Sequence, residues 1–185
     1  MATKPELSLR YYGDPVLRKK AAPVATFDTD LIGLVEAMFD CMVREKGVGL
    51  AGPQVGRSDR VFVVDLEDDE GRRTRRAFVN PVIREREGME SAEEGCLSIP
   101  GIREDVKRPE RVVVEAKDER GQPFTLAADG LLARAIQHET DHLDGVLFVD
   151  RLSPIKRKLV EARLKRFKAP VPDHPLGAEG LEPSL

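Results

Sequence analysis

Six residues, Gln137-His138-Glu139-Thr140-Asp141-His142, constrain this chain more tightly than any other stretch. On an α-helix positions four apart lie only about 40° from one another, so His138 and His142 can share one metal ion. Apolar periodicity predicts that helix from Leu131 to about Leu143, with Asp129 as its cap. Leu131 and Ala135 continue the histidine stripe, while Leu132, Ile136 and Leu143 flank Glu139. Arg134, Gln137 and Asp141 fall on the far side, which suits water or polar partners of the ligands. Burial beside the imidazoles should raise the Glu139 carboxyl pKa, as a group that takes and later returns a proton requires. Two surface histidines on an ordinary helix would spell the same motif. The chain has only three histidines, however, and the apolar flank of Glu139 disfavours a solvated helix.

A catalytic metal usually keeps three protein ligands and one open position. Asp144, Asp150, Glu161 and His174 qualify by residue type, although His174 lies in a Pro-rich tail. Cys96 is the other candidate, in the loop Glu93-Glu94-Gly95-Cys96-Leu97-Ser98-Ile99-Pro100-Gly101, where no periodicity assigns it to a core. Cys41 shares an apolar helix face with Leu34 and Met38 and reads as a small core residue. A thiolate with two imidazoles suits iron(II) or zinc better than magnesium or calcium.

Around this helix the pattern is that of one α+β domain. A helix is expected from Asp28 to Glu45, with Asp28, Thr29 or Asp30 as N-cap and Gly47 as its stop. Strands are expected at Arg60–Asp65, Ala77–Ile83, Val112–Ala116 and Phe124–Ala127, with a charged turn from Glu67 to Arg76. Val146–Val149 reads as a short extended piece, and Ser153-Pro154 opens a last helix to about Phe167. Gly47-Val48-Gly49-Leu50-Ala51-Gly52 matches a dinucleotide fingerprint by letter, but a helix precedes it and a strand follows. That order is reversed, so these glycines serve close backbone approach instead. A net charge of −3 argues against a wholesale grip on nucleic acid, and 41% hydrophobic residues argue against disorder. Met1 to Glu6 show no apolar signal core, no stretch approaches 18 apolar residues, and two cysteines suit a reducing compartment. A cytoplasmic chain with no membrane attachment is expected.

Three segments in order, Gly47-Val48-Gly49-Leu50-Ala51-Gly52-Pro53-Gln54, Glu94-Gly95-Cys96-Leu97-Ser98 and Gln137-His138-Glu139-Thr140-Asp141-His142, resemble the peptide deformylase family. The resemblance runs from about Leu9 to Phe167 and includes Leu152-Ser153-Pro154. It implies a mixed, mainly antiparallel sheet packed around the central H-E-x-x-H helix, with a C-terminal helix. Residues 1–168 would form the catalytic domain and 169–185 a Pro-rich flexible tail. It further implies that Cys96, His138 and His142 bind one divalent metal, Fe2+ foremost, with Zn2+, Ni2+ or Co2+ as substitutes. Glu139 would be the acid/base, and the Gln54 side chain and Leu97 N–H would stabilise an oxyanion. Gly49 would hold the substrate backbone, and Val48, Leu131 and Ala135 would line the methionine pocket. The implied substrate is an N-formyl-methionyl nascent peptide, cleaved to formate and a free amine by a monomer. Gly52 departs from the family, which usually has alanine there, and is expected to loosen the chain beside Gln54.

Two other readings use the same motif: a zincin-type peptidase with a downstream third ligand, and a non-catalytic metal-binding or ribosome-associated module. The last helix carries Lys156, Arg157, Lys158, Arg163, Lys165, Arg166 and Lys168 against Glu161. Such a run is usually a solvated face. In the family a basic C-terminal helix can dock on the ribosome near the exit tunnel, so ribosome contact is the expectation drawn from the resemblance.

Overall fold

A computed structural model describes residues 4–168 of the chain; the expected tail at 169–185, with His174, lies outside them. Strand β2 (Val61–Glu67) is the organising element, because it is apolar on both faces. Val61 and Val63 pack with Leu34, Val35, Met38 and Met42 of α1 (Thr29–Arg44), whereas Phe62 and Val64 pack with Ala135 and Ile136 of α2 (Gly130–Leu143). Alternation along a strand sends neighbours to opposite faces, so one β-branched run supplies two cores. The five-stranded sheet runs β1-β2-β3-β6-β7, adding β1 (Gly49–Ala51), β3 (Arg73–Glu87), β6 (Arg111–Lys117) and β7 (Pro123–Asp129). A separate pair joins β4 (Glu90–Glu94) and β5 (Glu104–Arg108). Among the described residues every strand pairing is antiparallel, and the one parallel contact is the isolated bridge Ala22–Asp59.

A third core lies under the two-stranded sheet. There Val106, Ile99, Ile102 and Cys96 meet Phe148 and the buried side, Val160 and Leu164, of α3 (Pro154–Leu164). Helix α2 therefore separates the large sheet from this smaller cluster.

Several local expectations change. Helix α1 is capped by Asp28, whose carboxylate accepts from the amides of Asp30 and Leu31 at 3.1 Å. Its stop is not Gly47 but Lys46, in the left-handed region at φ 58°, which lets the Gly47 amide donate to Met42 O. Asp129 stands at the N-cap of α2 without a side-chain cap bond. The charged turn is confined to Asp68–Arg72, because Asp68 Oδ1 accepts from the amides of Glu70 and Arg72 and lets β3 start at Arg73. The expected extended piece at Val146–Val149 instead enters a 3-10 turn, Phe148–Arg151, bracketed by Asp150 Oδ2 accepting from the Leu147 amide. Gly52 is not a loosening residue either. A Cβ there would stand 2.7 Å from the Asp59 carbonyl oxygen, so its role is close approach.

Past α2 the chain reverses at Gly145, with φ 74° and the Arg18 carbonyl oxygen 2.6 Å from where a Cβ would lie. Gly145→Ala should lower stability by about 2 kcal/mol or more, combining left-handed strain with a backbone clash. Chemical denaturation reads this directly, and a wild-type midpoint would refute it.

Candidate metal centre

Helix α2 places its two histidines against the loop after β4. His142 Nε2 lies 3.3 Å from Cys96 Sγ and 3.2 Å from His138 Nε2. These three potential ligand atoms all fall within 4.8 Å of one another, and all three residues are buried. Two imidazole nitrogens and a sulfur converging at that spacing fit a single borderline-soft cation. The other candidates for a third ligand are engaged elsewhere. Asp144 pairs with Arg60 at 2.8 Å, Asp150 with Arg18 and Arg157, and Glu161 with Lys165 at 3.6 Å. Cys41 is buried in the α1 core.

The far face of α2 is not in water. Arg134, Gln137 and Asp141 are all buried: Gln137 donates to the Pro109 and Ala133 carbonyls, while Arg134 and Asp141 belong to a polar network centred on Glu94, whose side chain has no exposed surface. Arg108 forks onto Glu94 with Nε–Oε1 2.5 Å and Nη2–Oε2 2.9 Å. Arg134 Nη1 donates to Oε1 at 2.7 Å, and His138 Nδ1 lies 3.1 Å from Oε2. Burial by itself would raise the Glu94 pKa. The hydrogen bonds from His138 and Arg108, with their charges, overcome it and hold the carboxyl well below its ordinary range. An ionised carboxylate can only accept, so His138 donates from Nδ1 to Glu94, and this contact turns its Nε2 toward the cluster. Sequence patterning missed Glu94 and Arg108 as site residues. The available signal was charge at inward-facing positions of β4 and β5, where Glu94, Val106 and Arg108 are the buried members.

Glu139 is 1% exposed, and burial pushes its pKa up to about 7. Its Oε2 has no hydrogen-bond partner among the described residues. The glycine loop is cut to fit around it. A Cβ on Gly49 would lie 2.5 Å from Glu139 Oε1, and one on Gly47 would lie 2.6 Å from Leu97 Cδ1. Gln54 is buried, with Oε1 accepting from the Ala51 amide at 2.8 Å. Its Nε2 faces Cys96 Sγ at 3.5 Å and Ser98 Oγ at 3.3 Å. The Leu97 amide makes no hydrogen bond among the described residues. Val48 packs on the core that contains the buried Ala135, while Leu131 is 47% exposed. Leu131 borders a cavity of about 710 Å³ with Leu66, Leu126 and Leu132; Val48 and Ala135 do not line it.

A buried, unpaired carboxyl beside a cysteine and two histidines from an H-E-x-x-H helix defines the metal-dependent hydrolase class. Comparison with known proteins gives the family. The model of the polypeptide deformylase family matches residues 7–158. A peptide deformylase of Alkalilimnicola ehrlichii is 48% identical over 161 residues, 87% of this chain and 90% of that protein. A solved peptide deformylase from Thermus thermophilus superposes with a TM-score of 0.80 at 48% identity, covering 86% of this chain and 96% of that one. A plant peptide deformylase gives 0.83 at 37% identity, covering 90% and 91%. The chain belongs to the polypeptide deformylase family. It is an enzyme that hydrolyses the formyl amide at the N-terminus of new polypeptides.

Removing Glu94 would leave Arg108 and Arg134 buried without their shared carboxylate. Glu94→Ala should cost about 3–5 kcal/mol of stability. The check is the unfolding midpoint of metal-free protein, and a loss below about 1 kcal/mol would contradict the network's importance.

Proposed function

We propose that Cys96, His138 and His142 hold one divalent cation and that Glu139, Gln54 and Leu97 carry out deformylation around it. The observation that carries this reading is the convergence of one sulfur and two Nε2 atoms beside the buried Glu139. The thiolate and two imidazoles suit several borderline divalent metals; the family resemblance points to iron(II) as the native one, with zinc, nickel or cobalt as substitutes. When bound, the cation supplies Lewis acidity toward water and toward the formyl oxygen.

The chain's own groups do the rest. Glu139, poised near neutrality by burial, takes a proton from the attacking water as its oxygen bonds to the formyl carbon. Gln54 Nε2 and the Leu97 N–H donate to the oxygen that becomes negative. Glu139 then passes its proton to the leaving nitrogen as the C–N bond breaks, giving formate and a free amine. Gly49 lies on the edge strand β1, which among the described residues pairs only with β2, so its other side supports a role in aligning the substrate backbone. Val48, Leu131 and Ala135 line the methionine pocket in this reading.

Glu139→Gln should keep the metal and lose formate release from formyl-Met peptides, while Cys96→Ser should lose stoichiometric metal. Metal analysis after anaerobic purification, with a formate assay, reads both. Full turnover in the first variant or full metal in the second would defeat the assignment.

The working context proposed is a cytoplasmic monomer acting on nascent chains. No helix among the described residues is long and apolar enough to cross a membrane. Ribosome contact is assigned to the outer face of α3 and the 3-10 turn that follows it, Lys165–Lys168, where Lys158 and Arg166 make no ion pair among the described residues and Ile155 and Leu159 are exposed. Deleting the helix would also remove the buried Val160 and Leu164, so charge reversal is the cleaner test. Lys158→Glu with Arg166→Glu should abolish salt-sensitive ribosome binding without changing turnover of free peptide. Unchanged ribosome cosedimentation would remove α3 from the interface.

A further inference from the structure

The chemistry above leaves one buried carboxylate unused. Asp141 stands between the two histidines in sequence, and an arginine from outside the helix grips it. That arginine, Arg151, belongs to the 3-10 turn Phe148–Arg151 just before α3. Its Nε lies 2.5 Å from Asp141 Oδ2 and its Nη2 2.5 Å from Oδ1, a two-pronged hold that fixes the carboxylate plane.

We propose that Arg151 is a positioning residue for the metal centre, acting through Asp141 and Arg108 on Glu94 and His138. The inference rests on the ligand set proposed above, and each link is a short contact. Asp141 Oδ2 also accepts from Arg108 Nη1 at 2.8 Å, while Arg108 turns its Nε and Nη2 onto Glu94. One buried guanidinium is thus oriented by two carboxylates. Glu94 Oε2 receives both Arg108 Nη2 and His138 Nδ1, so a shift of Arg108 moves the acceptor that orients the imidazole.

Charge balance points the same way. Arg108, Arg134 and Arg151 face Glu90, Glu94 and Asp141, three cations against three anions, with Arg134 reaching Glu90 at 3.6 Å. Without Arg151, the 8%-exposed Asp141 has Arg108 as its remaining arginine. Arg108 is then drawn toward Asp141 and away from Glu94. The Arg151 side chain is 43% exposed, so truncating it buries no new unpaired group on its own side. An ion pair that served stability alone would leave the metal's surroundings untouched.

The experiment compares cobalt binding to metal-free wild type, R151A, R151K and R84A, using chelator competition and the visible spectrum of the cobalt–thiolate site. R151A should bind Co2+ at least about 10-fold more weakly with shifted bands, as loss of an outer support of a metal ligand does. Its kcat for formyl-Met peptides should fall while KM holds. R151K keeps the charge but not the fork, and should fall between R151A and wild type. R84A, which removes the exposed pair with Glu115, should match wild type. Losses from R151A and D141N should be non-additive in the double variant, because the two residues form one link. Wild-type cobalt affinity and spectrum in R151A overturn the proposal, as do additive effects. If R151A does not fold, R151K decides, and wild-type behaviour there overturns it equally. A wild-type chain that takes up no cobalt refutes the ligand set itself, and the inference falls with it.

Discussion

The fully buried Glu94 carboxylate is the interaction on which the rest of the site depends. It lies at the end of β4, one residue before the Gly95-Cys96 turn, so it ties the loop that carries the thiol to the helix that carries the imidazoles. Two arginines from different elements, Arg108 on β5 and Arg134 on α2, meet on it. A carboxylate removed from water is expensive unless its lone pairs are filled. Here they are, and a filled network of this kind permits one arrangement of strand, helix and loop. The rigidity that holds Cys96 opposite His142 comes from polar contacts rather than from apolar packing alone.

The glycine loop meets the same site from the other side, through absence of side chain. Gly49 lets β1 run against the Glu139 carboxyl, and Gly47 admits Leu97. A Cβ at Gly49 must displace the Glu139 carboxyl that the proposed chemistry uses, and one at Gly47 must displace the Leu97 side chain. Gly52 serves the same kind of contact farther along, where the backbone of Asp59 crosses it. Gln54, bound at its own Oε1 by the Ala51 amide, is left with its amide nitrogen directed at the cluster. The segment's value lies in how closely it lets other groups approach.

These facts also explain which parts could be read from sequence. Strand β2 and helices α1 and α2 announce themselves because their buried positions are apolar and periodic. The cluster of Cys96, His138 and His142 was legible on other grounds, since Cys96 stood outside any apolar pattern while the histidines stood on one stripe. Strands β4 and β5 were not legible. Their inward positions include Glu94 and Arg108, and a hydrophobicity pattern counts buried charge as surface. Arg134, Gln137 and Asp141 mislead in the same way, reading as a wet helix face when they are buried. The end of α1 was misplaced because glycine is the usual left-handed residue, and here Lys46 takes that conformation while Gly47 answers a tertiary contact.

Two carboxyls, Glu94 and Glu139, show how one small site holds acid–base groups in opposite states. Both are essentially removed from solvent, at 0% and 1% exposure, so burial cannot distinguish them. Partners can. Glu94 accepts from two arginines and an imidazole, which favours its charged form so strongly that it can act only as an acceptor. Glu139 has an oxygen with no partner, so desolvation dominates and its pKa rises to about 7. One carboxylate is therefore fixed in charge and orients a histidine, while the other, next to that histidine in sequence, is free to exchange a proton near neutrality. Exchanging their environments would give a histidine with a wandering tautomer and, at position 139, a carboxylate that never lets go of its charge. Separation of the two pKa values is built by where the partners of Glu94 are placed: Arg108 by strand β5, which hydrophobic patterning overlooks, and Arg134 and His138 by helix α2.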